Sequence, residues 1–446
     1  MPTLKSVPSS ATSPHQSDSS LSLFGLLNPE ILANPYPLFA RLRQEDPVHW
    51  DPYLHAWVVT RYADVVTVLY GFSADRTPTP DQLAALGLER LSPIARVMVK
   101  QMLFMDPPDH TRLRGLASYA FTPRRVEVLR EHIGEITDRL LAEMEPRGEA
   151  DIIRDLAEPL PAIVTAEMLG VPVDDHHLLK GWSADFAEML GNFQHNPDRI
   201  ARVLKTVEEM TGYFRERIAE MRIHPREGLI HSLLTAEMDG DRLSDEEVVA
   251  NSIVTMVGGQ ETTTNLIGNG LLTLLRHPEE FARLRGDLSL IPSAVEEMLR
   301  FEPPSQHTAR LAPHDTELHG RLIQKRQAVI AVMAAGNRDP ERFAEPDRFD
   351  ISRPDNRHLA FGWAAHFCFG APLARIEGQA AIEAICRRLH NVRLADDAPL
   401  TWRTNLGLRG LTSLPVEFDP VNRAHPSEHS PLKSSGLSGS SGRAPA

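Results

Sequence analysis

A single cysteine lies in the most unusual loop of the 446-residue chain. Around Cys368 the sequence reads Phe361-Gly-Trp-Ala-Ala-His366-Phe-Cys368-Phe-Gly370-Ala-Pro372-Leu-Ala-Arg375. Gly362 and Gly370 permit a close approach of the backbone, and Pro372 suits the first turn of a helix. Cys368 therefore precedes a helix N-terminus, where free N–H groups and the helix dipole favour a thiolate.

The chemistry open to this cysteine is narrow. A cysteine without such surroundings is usually a small buried hydrophobe, and Cys386, within an apolar helical pattern, is predicted to be one. With two cysteines, neither a disulfide framework nor a multi-cysteine zinc site can form. A single thiolate can instead be the axial ligand of a haem iron. The sequence has no motif of NTPases, serine hydrolases, zinc proteases or dinucleotide-binding dehydrogenases.

A second candidate is an acid inside an otherwise uncharged stretch. Between Val248 and Leu275, Glu261 is the only charged residue, and Thr262 follows it directly. Burying a carboxyl group is costly unless it is paired or takes part in a reaction. A threonine can bond its own i−4 carbonyl group and loosen the helix. The segment is therefore either a kinked helix with a neutral, satisfied glutamate or a helix that carries a working acid–alcohol pair.

Two further pairs have helical spacing. His110 and Arg114 are four residues apart and would point the same way on a helix. Glu297 and Arg300 have the spacing of an ordinary surface ion pair, but they lead directly into Phe301-Glu-Pro-Pro. The helix that carries this second pair is predicted to begin with a capping box, in which Ser293 caps and Glu296 reciprocates.

Helices predominate in the predicted fold. Residues 124–145 and 199–222 repeat apolar side chains every three or four positions, whereas 57–60 and 328–333 are strand-like. The longest predicted helix covers 248–275 and is long enough to cross a bilayer, but its amide and hydroxyl side chains favour burial within a globular domain. A capping box at Ser244 and Glu247 marks the start of this helix.

Composition indicates a soluble globular protein with 24% charged residues and a net charge of −13. We expect no nucleic acid partner, because such binding needs an excess of Lys and Arg. We also expect no membrane association and a cytoplasmic location, since no secretory signal pattern is present. Residues 1–22 and 424–446 are predicted to be disordered tails around a single domain at 23–423.

Together these motifs resemble the cytochrome P450 family of haem-thiolate monooxygenases in its soluble bacterial form. The resemblance extends from about residue 34 to about residue 418. It implies the P450 fold, which is mainly α-helical with small β-sheets and has a long central helix crossing a haem-binding domain. It also implies haem b as the cofactor, with Cys368 as the axial ligand of its iron.

The resemblance extends expected roles to further residues around the haem. The haem propionates are expected to be bound by His110, Arg114, Arg310 and His366. Such partners are needed because buried carboxylates without cations or hydrogen-bond donors are costly.

Two more sets take their roles from the family. Glu261 and Thr262 are expected to relay protons, with the threonine positioning the proton donor and the glutamate resupplying it. Glu297, Arg300 and Arg353 are expected to form a buried structural triad on the haem side of the core.

The implied reaction is insertion of one oxygen atom of O2 into an apolar organic substrate, by hydroxylation or epoxidation. Electrons are expected from a ferredoxin or flavodoxin with its NAD(P)H-dependent reductase. A basic docking site for that donor is predicted from Arg124, Arg125, Arg375, Arg387 and Arg388. The alternatives are a peroxide-driven peroxygenase and a non-catalytic haem sensor or carrier, neither of which needs the acid–alcohol pair.

The chain departs from the family pattern at three positions. Ala364 replaces a glycine of the Cys368 loop, which predicts strain if that position has a positive φ. Gln324 and Arg326 replace a proline and a glycine, which predicts a different turn there. Residues 76–105 and 191–197 are predicted to line or cover the substrate pocket.

Overall fold

The computed structural model of the chain describes residues 19–120, 123–191, 197–238, 240–395 and 399–421. Helices make up most of them. The first nine α-helices are α1 (Pro29–Ala33), α2 (Tyr36–Glu45), α3 (Tyr62–Gly71), α4 (Pro80–Ala85), α5 (Ser92–Met98), α6 (Asp109–Ala120), α7 (Pro123–Val128), α8 (Arg130–Met144) and α9 (Pro159–Leu169). The others are α10 (His176–Gly191), α11 (Pro197–Ile223), α12 (Leu229–Thr235), α13 (Asp245–Arg276), α14 (Pro278–Gly286), α15 (Ile291–Phe301), α16 (Met333–Gly336) and α17 (Ala371–Arg388).

The strands of the described residues are short. They are β1 (Val48–Asp51), β2 (Ala56–Val59), β3 (Glu149–Asp151), β4 (Glu237–Met238), β5 (Asp241–Arg242), β6 (Thr308–Leu311), β7 (Thr316–Leu318), β8 (Arg321–Ile323), β9 (Ala328–Ala331), β10 (Arg393–Leu394) and β11 (Pro415–Glu417). The largest sheet has four strands in the order β1-β2-β9-β6, and β2 pairs with β9 in parallel. Because Val58 pairs with Ile330, this sheet joins two segments that are far apart along the chain.

Helix α13 is the central element, with 32 residues. Ser244 accepts from the N–H of Glu247, and the Glu247 carboxylate accepts in return from the N–H of Ser244, so the predicted capping box is confirmed. The helix is surrounded by α9, α10, α11, α15 and α17. Some of its polar side chains have partners inside the protein, as where the Asn269 amide donates to the carbonyl oxygen of Arg409 at 3.0 Å. Others, such as the Ser252 hydroxyl and the Gln260 amide, are buried without a hydrogen-bond partner among the described residues. Among the described helices, none combines the length and apolar character that a membrane span requires.

Several predicted elements differ in detail. The helix predicted over 124–145 is divided at Leu129 into α7 and α8. The capping box predicted at Ser293 is wrong, because α15 begins earlier, at Ile291, and the Ser293 hydroxyl donates to the carbonyl oxygen of Leu290. Glu296 instead forms an ion pair with a residue of α17.

The predicted N-terminal tail overlaps the described chain. Residues Ser19–Leu21 form a 3-10 helix, and Leu21 and Ser22 are buried. Ser22 is held because its hydroxyl donates to a carboxylate oxygen of Asp51 at 2.8 Å. The rest of that predicted tail, residues 1–18, and the predicted C-terminal tail at 424–446 lie outside the described residues.

Candidate active site

The loop around Cys368 is folded back on itself by backbone hydrogen bonds. The N–H of Cys368 donates to the carbonyl oxygen of Phe361 at 2.8 Å, and the N–H of Phe367 donates to that of Ala364 at 3.0 Å. Gly362 and Ala364 have φ values of +71° and +57°, which let the chain reverse within this short distance. Helix α17 begins three residues after the cysteine, so Cys368 lies just before its N-terminus, as predicted.

The thiol of Cys368 is influenced by opposing effects. The residue has an exposed surface, but protein surrounds most of its thiol. The resulting desolvation raises the pKa of that thiol. The N–H groups of Gly370 and Ala371 and the guanidinium groups of Arg114 and Arg375 act in the opposite direction, because they stabilise the thiolate. A bound cation would be a further stabilising partner. Cys386, by contrast, is buried in α17, and desolvation raises the pKa of its thiol to about 11.

Next to this loop the structure collects the four predicted propionate-binding residues. The rings of His110 on α6 and His366 in the loop lie 4.1 Å apart between centroids. Arg114, one helical turn after His110, donates to the carbonyl oxygen of Phe367 at 2.8 Å. Arg310 on β6 is close enough that its charge lowers the pKa of both histidines.

A third arginine, Arg76, belongs to this cluster and is absent from the residues selected from the sequence. Its guanidinium lies 4.6 Å from the centroid of the Phe104 ring, and repulsion from Arg310 adds to burial in lowering its pKa to about 9. No spacing relates Arg76 to His110 or Arg310, so the only signal in the sequence is its place in the segment predicted to line the pocket.

The cluster carries more positive charge than its protein partners balance. Burial, reinforced by the neighbouring cations, lowers the pKa of His366 to about 3, and burial lowers that of Arg310 to about 10. Asp106 opposes these shifts, but its oxygens already accept from the Ser73 hydroxyl and from a backbone N–H. Nε2 of His110 and Nε of Arg310 are buried and have no hydrogen-bond partner among the described residues. A buried dianion fits this arrangement, as the two propionates of a haem would.

Helix α13 supplies the other side of the site. The Thr262 hydroxyl donates to the carbonyl oxygen of Gly258 at 2.7 Å, which is the i−4 bond expected for this threonine. Gly258 is exposed although it lies in the middle of a central helix, and nothing lies within 4 Å of where its Cβ would be. The backbone of α13 is therefore open here to a flat ligand.

Glu261 is largely buried and has a positively charged neighbour. Its side chain is 11% exposed, and burial raises the pKa of its carboxyl group. Nε of Arg403 lies 3.5 Å from the carboxylate and partly offsets this rise. Arg403 also donates to Glu158 at 2.8 Å, and Lys180 on α10 pairs with the same Glu158. Arg403 lies outside every motif in the sequence, so the sequence gives no reason to select it.

The structure also brings Glu297, Arg300 and Arg353 together. Arg300 donates to both oxygens of Glu297 at 2.8 Å, and Nε of Arg353 lies 3.1 Å from the nearer oxygen. Glu297 and Arg300 are fully buried. The same carboxylate accepts from the N–H of Asp350 and from the amide of Asn356, both at 3.0 Å. Glu297 thus anchors the segment that leads into the Cys368 loop.

Comparison with known proteins decides the family. The family model described as "Cytochrome P450" matches residues 92–400. The chain belongs to the cytochrome P450 family. It is 40% identical to cytochrome P450 monooxygenase PikC of Streptomyces venezuelae, over 88% of this chain and 93% of PikC. It is 37% identical to the biotin biosynthesis cytochrome P450 of Bacillus subtilis, over 87% of this chain and 98% of that protein.

Solved structures agree with this assignment. The structure of P450BioI in complex with acyl carrier protein ligated to hexadec-9Z-enoic acid matches with a TM-score of 0.83 and 36% identity, over 87% of this chain and 99% of that one. The predicted P450 fold, mainly helical with small sheets, is therefore confirmed. The enzyme is a haem-thiolate monooxygenase, and its cofactor is haem.

Within this P450, two departures from the family pattern have a structural outcome. The positive φ of Ala364 means that the predicted strain is present, at about 1–2 kcal/mol for a residue with a Cβ. The different turn predicted at 324–326 is not found in the form expected. Arg326 has φ +70°, the region that glycine favours, and the N–H of Gln327 closes the turn on the carbonyl oxygen of Gln324 at 3.0 Å.

The basic docking site predicted for the electron donor is not supported in this P450. Arg375 pairs with Glu296, Arg387 with Glu383, and Arg388 with Asp138 and Glu145. These acids cancel most of the charge that would attract an acidic partner. The side chains of the other two predicted members, Arg124 and Arg125, lie outside the described residues.

Proposed function

We propose that this P450 inserts one atom of O2 into a large apolar substrate, by hydroxylation or epoxidation, with electrons from a separate ferredoxin or flavodoxin. The observation that carries this proposal is the contact between Arg114 and the Cys368 loop. Through it, the cluster of arginines and histidines and one cysteine at a helix N-terminus form a single site that suits a haem.

Cys368 is the residue that would ligate the iron, and a thiolate-ligated haem supplies the activation of dioxygen. The propionates would be held by the cation cluster defined above, which includes Arg76. Buried guanidinium and imidazole groups form strong charge-assisted hydrogen bonds with carboxylates. The cluster would therefore fix both the position of the cofactor and its orientation.

Residues of α13 would deliver the protons that the reaction needs. The hydrogen of the Thr262 hydroxyl is engaged with Gly258, so its oxygen presents lone pairs to the open side of the helix and can hold a proton donor such as water. Burial raises the pKa of the Glu261 carboxyl group towards neutral pH, and a group whose pKa lies nearer the working pH can both take up and release a proton. A peroxygenase or a haem carrier has no need of this pair, which is why we favour the monooxygenase.

The choice of a large apolar substrate follows from the surrounding residues and from relatives. Ile94, Val97 and Met102, in the segment predicted to line the pocket, belong to the same apolar core cluster as α13. Residues 192–196 of the other predicted pocket segment lie outside the described residues. One relative is named vitamin D(3) 25-hydroxylase, and solved structures of neighbours contain testosterone or a hexadecenoic acid carried on a protein.

The ligand role of Cys368 is tested by two cysteine variants. Cys368→Ala should fold but lose the thiolate-type absorption of its ferrous carbon monoxide complex. Cys386→Ala should keep that absorption, because Cys386 is a core residue of α17. The opposite result for the two variants would show that the ligand is assigned to the wrong cysteine.

The reaction is tested with purified enzyme, an added ferredoxin, its reductase and NADPH. A library of fatty acids, terpenoids, steroids and macrolides is first screened for shifts of the haem Soret band. Product that forms in proportion to NADPH consumed supports the monooxygenase. Product only with added hydrogen peroxide identifies a peroxygenase, and binding without any product identifies a sensor or carrier.

A further inference from the structure

Glu296, the residue immediately before the Glu297 triad, forms a network of its own. Its carboxylate accepts from Nε of Arg375 at 2.7 Å and from Nη2 of the same guanidinium at 2.9 Å. Nε2 of His358 lies 3.2 Å from the same carboxylate, while Nδ1 of His358 accepts from the N–H of Ala360 at 3.2 Å. This pattern places the ring proton on Nε2. Burial raises the pKa of Glu296, but the hydrogen bonds from Arg375 and His358 outweigh it and bring the pKa to about 2.

Consecutive residues on a helix point about 100° apart, so Glu296 and Glu297 reach different segments. Glu297 holds the backbone at Asp350 and the side chains of Arg353 and Asn356. Glu296 holds His358, ten residues before the iron-binding cysteine, and Arg375, seven residues after it. Helix α15 therefore fixes the Cys368 loop at both of its ends.

The network also reaches the backbone of the cysteine. The Arg375 guanidinium lies over the Phe361 ring, 4.6 Å from its centroid, and the His358 ring lies 5.8 Å from the same ring. The Phe361 carbonyl oxygen accepts the N–H of Cys368. Arg375 thus packs on the residue that orients Cys368, and its charge stabilises the thiolate.

We propose that Glu296, His358 and Arg375 form an ionic clamp that positions Cys368 as the iron ligand and supplies positive charge beside it. The clamp rests on the proposed ligand role of Cys368. A partly exposed ion pair alone contributes little to stability, and Arg375 and Glu296 are 32% and 26% exposed. What distinguishes the clamp is its two-pronged geometry, the buried His358 that completes it, and its contact with Phe361.

The test uses haem-loaded enzyme and two readouts other than turnover. One is the rate at which the thiolate-type carbon monoxide complex converts to the form without a thiolate. The other is the midpoint reduction potential. Arg375→Gln should accelerate the conversion several-fold and lower the potential, because a positive charge that favours the reduced state is lost. Glu296→Gln should also accelerate conversion but raise the potential, because Arg375 is then no longer neutralised.

Two further variants separate geometry from charge. Arg375→Lys keeps the charge but loses the fork, so its potential should match the parent while its conversion remains faster. Glu383→Gln is the matched control, since Glu383 pairs with Arg387 on the exposed face of the same helix, and both readouts should match the parent.

The outcomes distinguish the clamp from the ligand assignment. If the parent enzyme never shows a thiolate-type complex, the ligand role of Cys368 fails. If the parent shows it but Glu296→Gln and Arg375→Gln match the parent in both readouts, the clamp is refuted. The clamp is also refuted if the potential shifts in the same direction in both variants. The two substitutions remove charges of opposite sign, so an electrostatic effect must shift the potential in opposite directions, whereas a purely structural loss does not depend on the sign of the charge.

Discussion

Thr262 illustrates how a single hydroxyl group can take part in two interactions. Its hydrogen is used within α13, in the bond to the carbonyl oxygen of Gly258. Its oxygen remains available as an acceptor on the open side of the helix. A threonine used in this way orients a proton donor without contributing much to substrate affinity. We therefore expect its removal to affect the outcome of the reaction more than the binding of the substrate.

Thr262→Ala should bind substrate and accept electrons from the donor as the parent does. Product per NADPH should fall several-fold and hydrogen peroxide should rise, because protons no longer arrive in the right place. Both are measured in the same reaction. Thr273→Ala is a suitable control, since the Thr273 hydroxyl donates to Asn269 at 2.7 Å in the same helix but away from the site. Equal coupling in Thr262→Ala and the parent would reduce Thr262 to a helix residue.

Arg403 should set the protonation of Glu261. Removing its charge in Arg403→Gln takes away the largest effect that opposes burial, so the pKa of Glu261 should rise further. The carboxylic acid band in infrared difference spectra, assigned by its loss in Glu261→Gln, would then disappear at a higher pH than in the parent. An unchanged midpoint would mean that Arg403 acts on Glu158 alone, with which it also pairs.

Among the secondary-structure elements, α15 holds several other segments in place through its charged side chains. It carries Glu297 and Arg300, which are fully buried, and its last turn leads into the strand that holds Arg310. Arg300 also donates to the carbonyl oxygens of Asn337, Pro346 and Arg348, so one guanidinium satisfies backbone groups of several segments. Loss of this side chain would leave a buried carboxylate and several carbonyl groups without partners.

Arg300→Ala should therefore destabilise the protein by about 3–5 kcal/mol, the cost of breaking a buried ion pair from one side. Arg348→Ala, which removes an exposed partner of Glu345, should cost less than about 0.5 kcal/mol. Chemical unfolding and the haem content of purified protein measure the difference. Similar unfolding free energies for the two variants would contradict the structural role of the triad.

At the scale of the whole molecule, the buried carboxyl group of Glu377 destabilises the folded state. Glu377 lies in α17, and neither of its carboxyl oxygens has a hydrogen-bond partner among the described residues. Desolvation raises the pKa of this group well above its ordinary value. The folded enzyme therefore keeps a proton that Glu377 releases in the unfolded chain once the pH exceeds the ordinary pKa of a glutamate. Unfolding becomes more favourable as the pH rises from that ordinary pKa towards the raised pKa of the folded state.

Glu377→Gln should remove this pH dependence. The variant should have the higher free energy of unfolding at pH 8, and its advantage over the parent should shrink as the pH approaches about 4, where an ordinary glutamate is half protonated. Urea unfolding of both proteins at several pH values gives the comparison. Parallel curves for the two proteins would show that Glu377 is ionised in the folded state.

The sequence predicts those features that depend on neighbours along the chain. The position of Cys368 just before a helix N-terminus follows from glycines and a proline within a few residues, and the start of α13 follows from Ser244 and Glu247. The i−4 bond of Thr262 is likewise local. Such features are readable because helix geometry converts spacing into direction.

Tertiary structure decided the partners of these residues. Arg76 joins His110 and Arg310 only through the fold, and Arg403 reaches Glu158 across 245 positions. The local pattern misplaced Glu296 in a capping box, whereas its partner Arg375 is 79 residues away on α17. An ion pair depends on charge and distance in space, and neither the path of the chain nor the burial that strengthens the pair is encoded in spacing along the sequence.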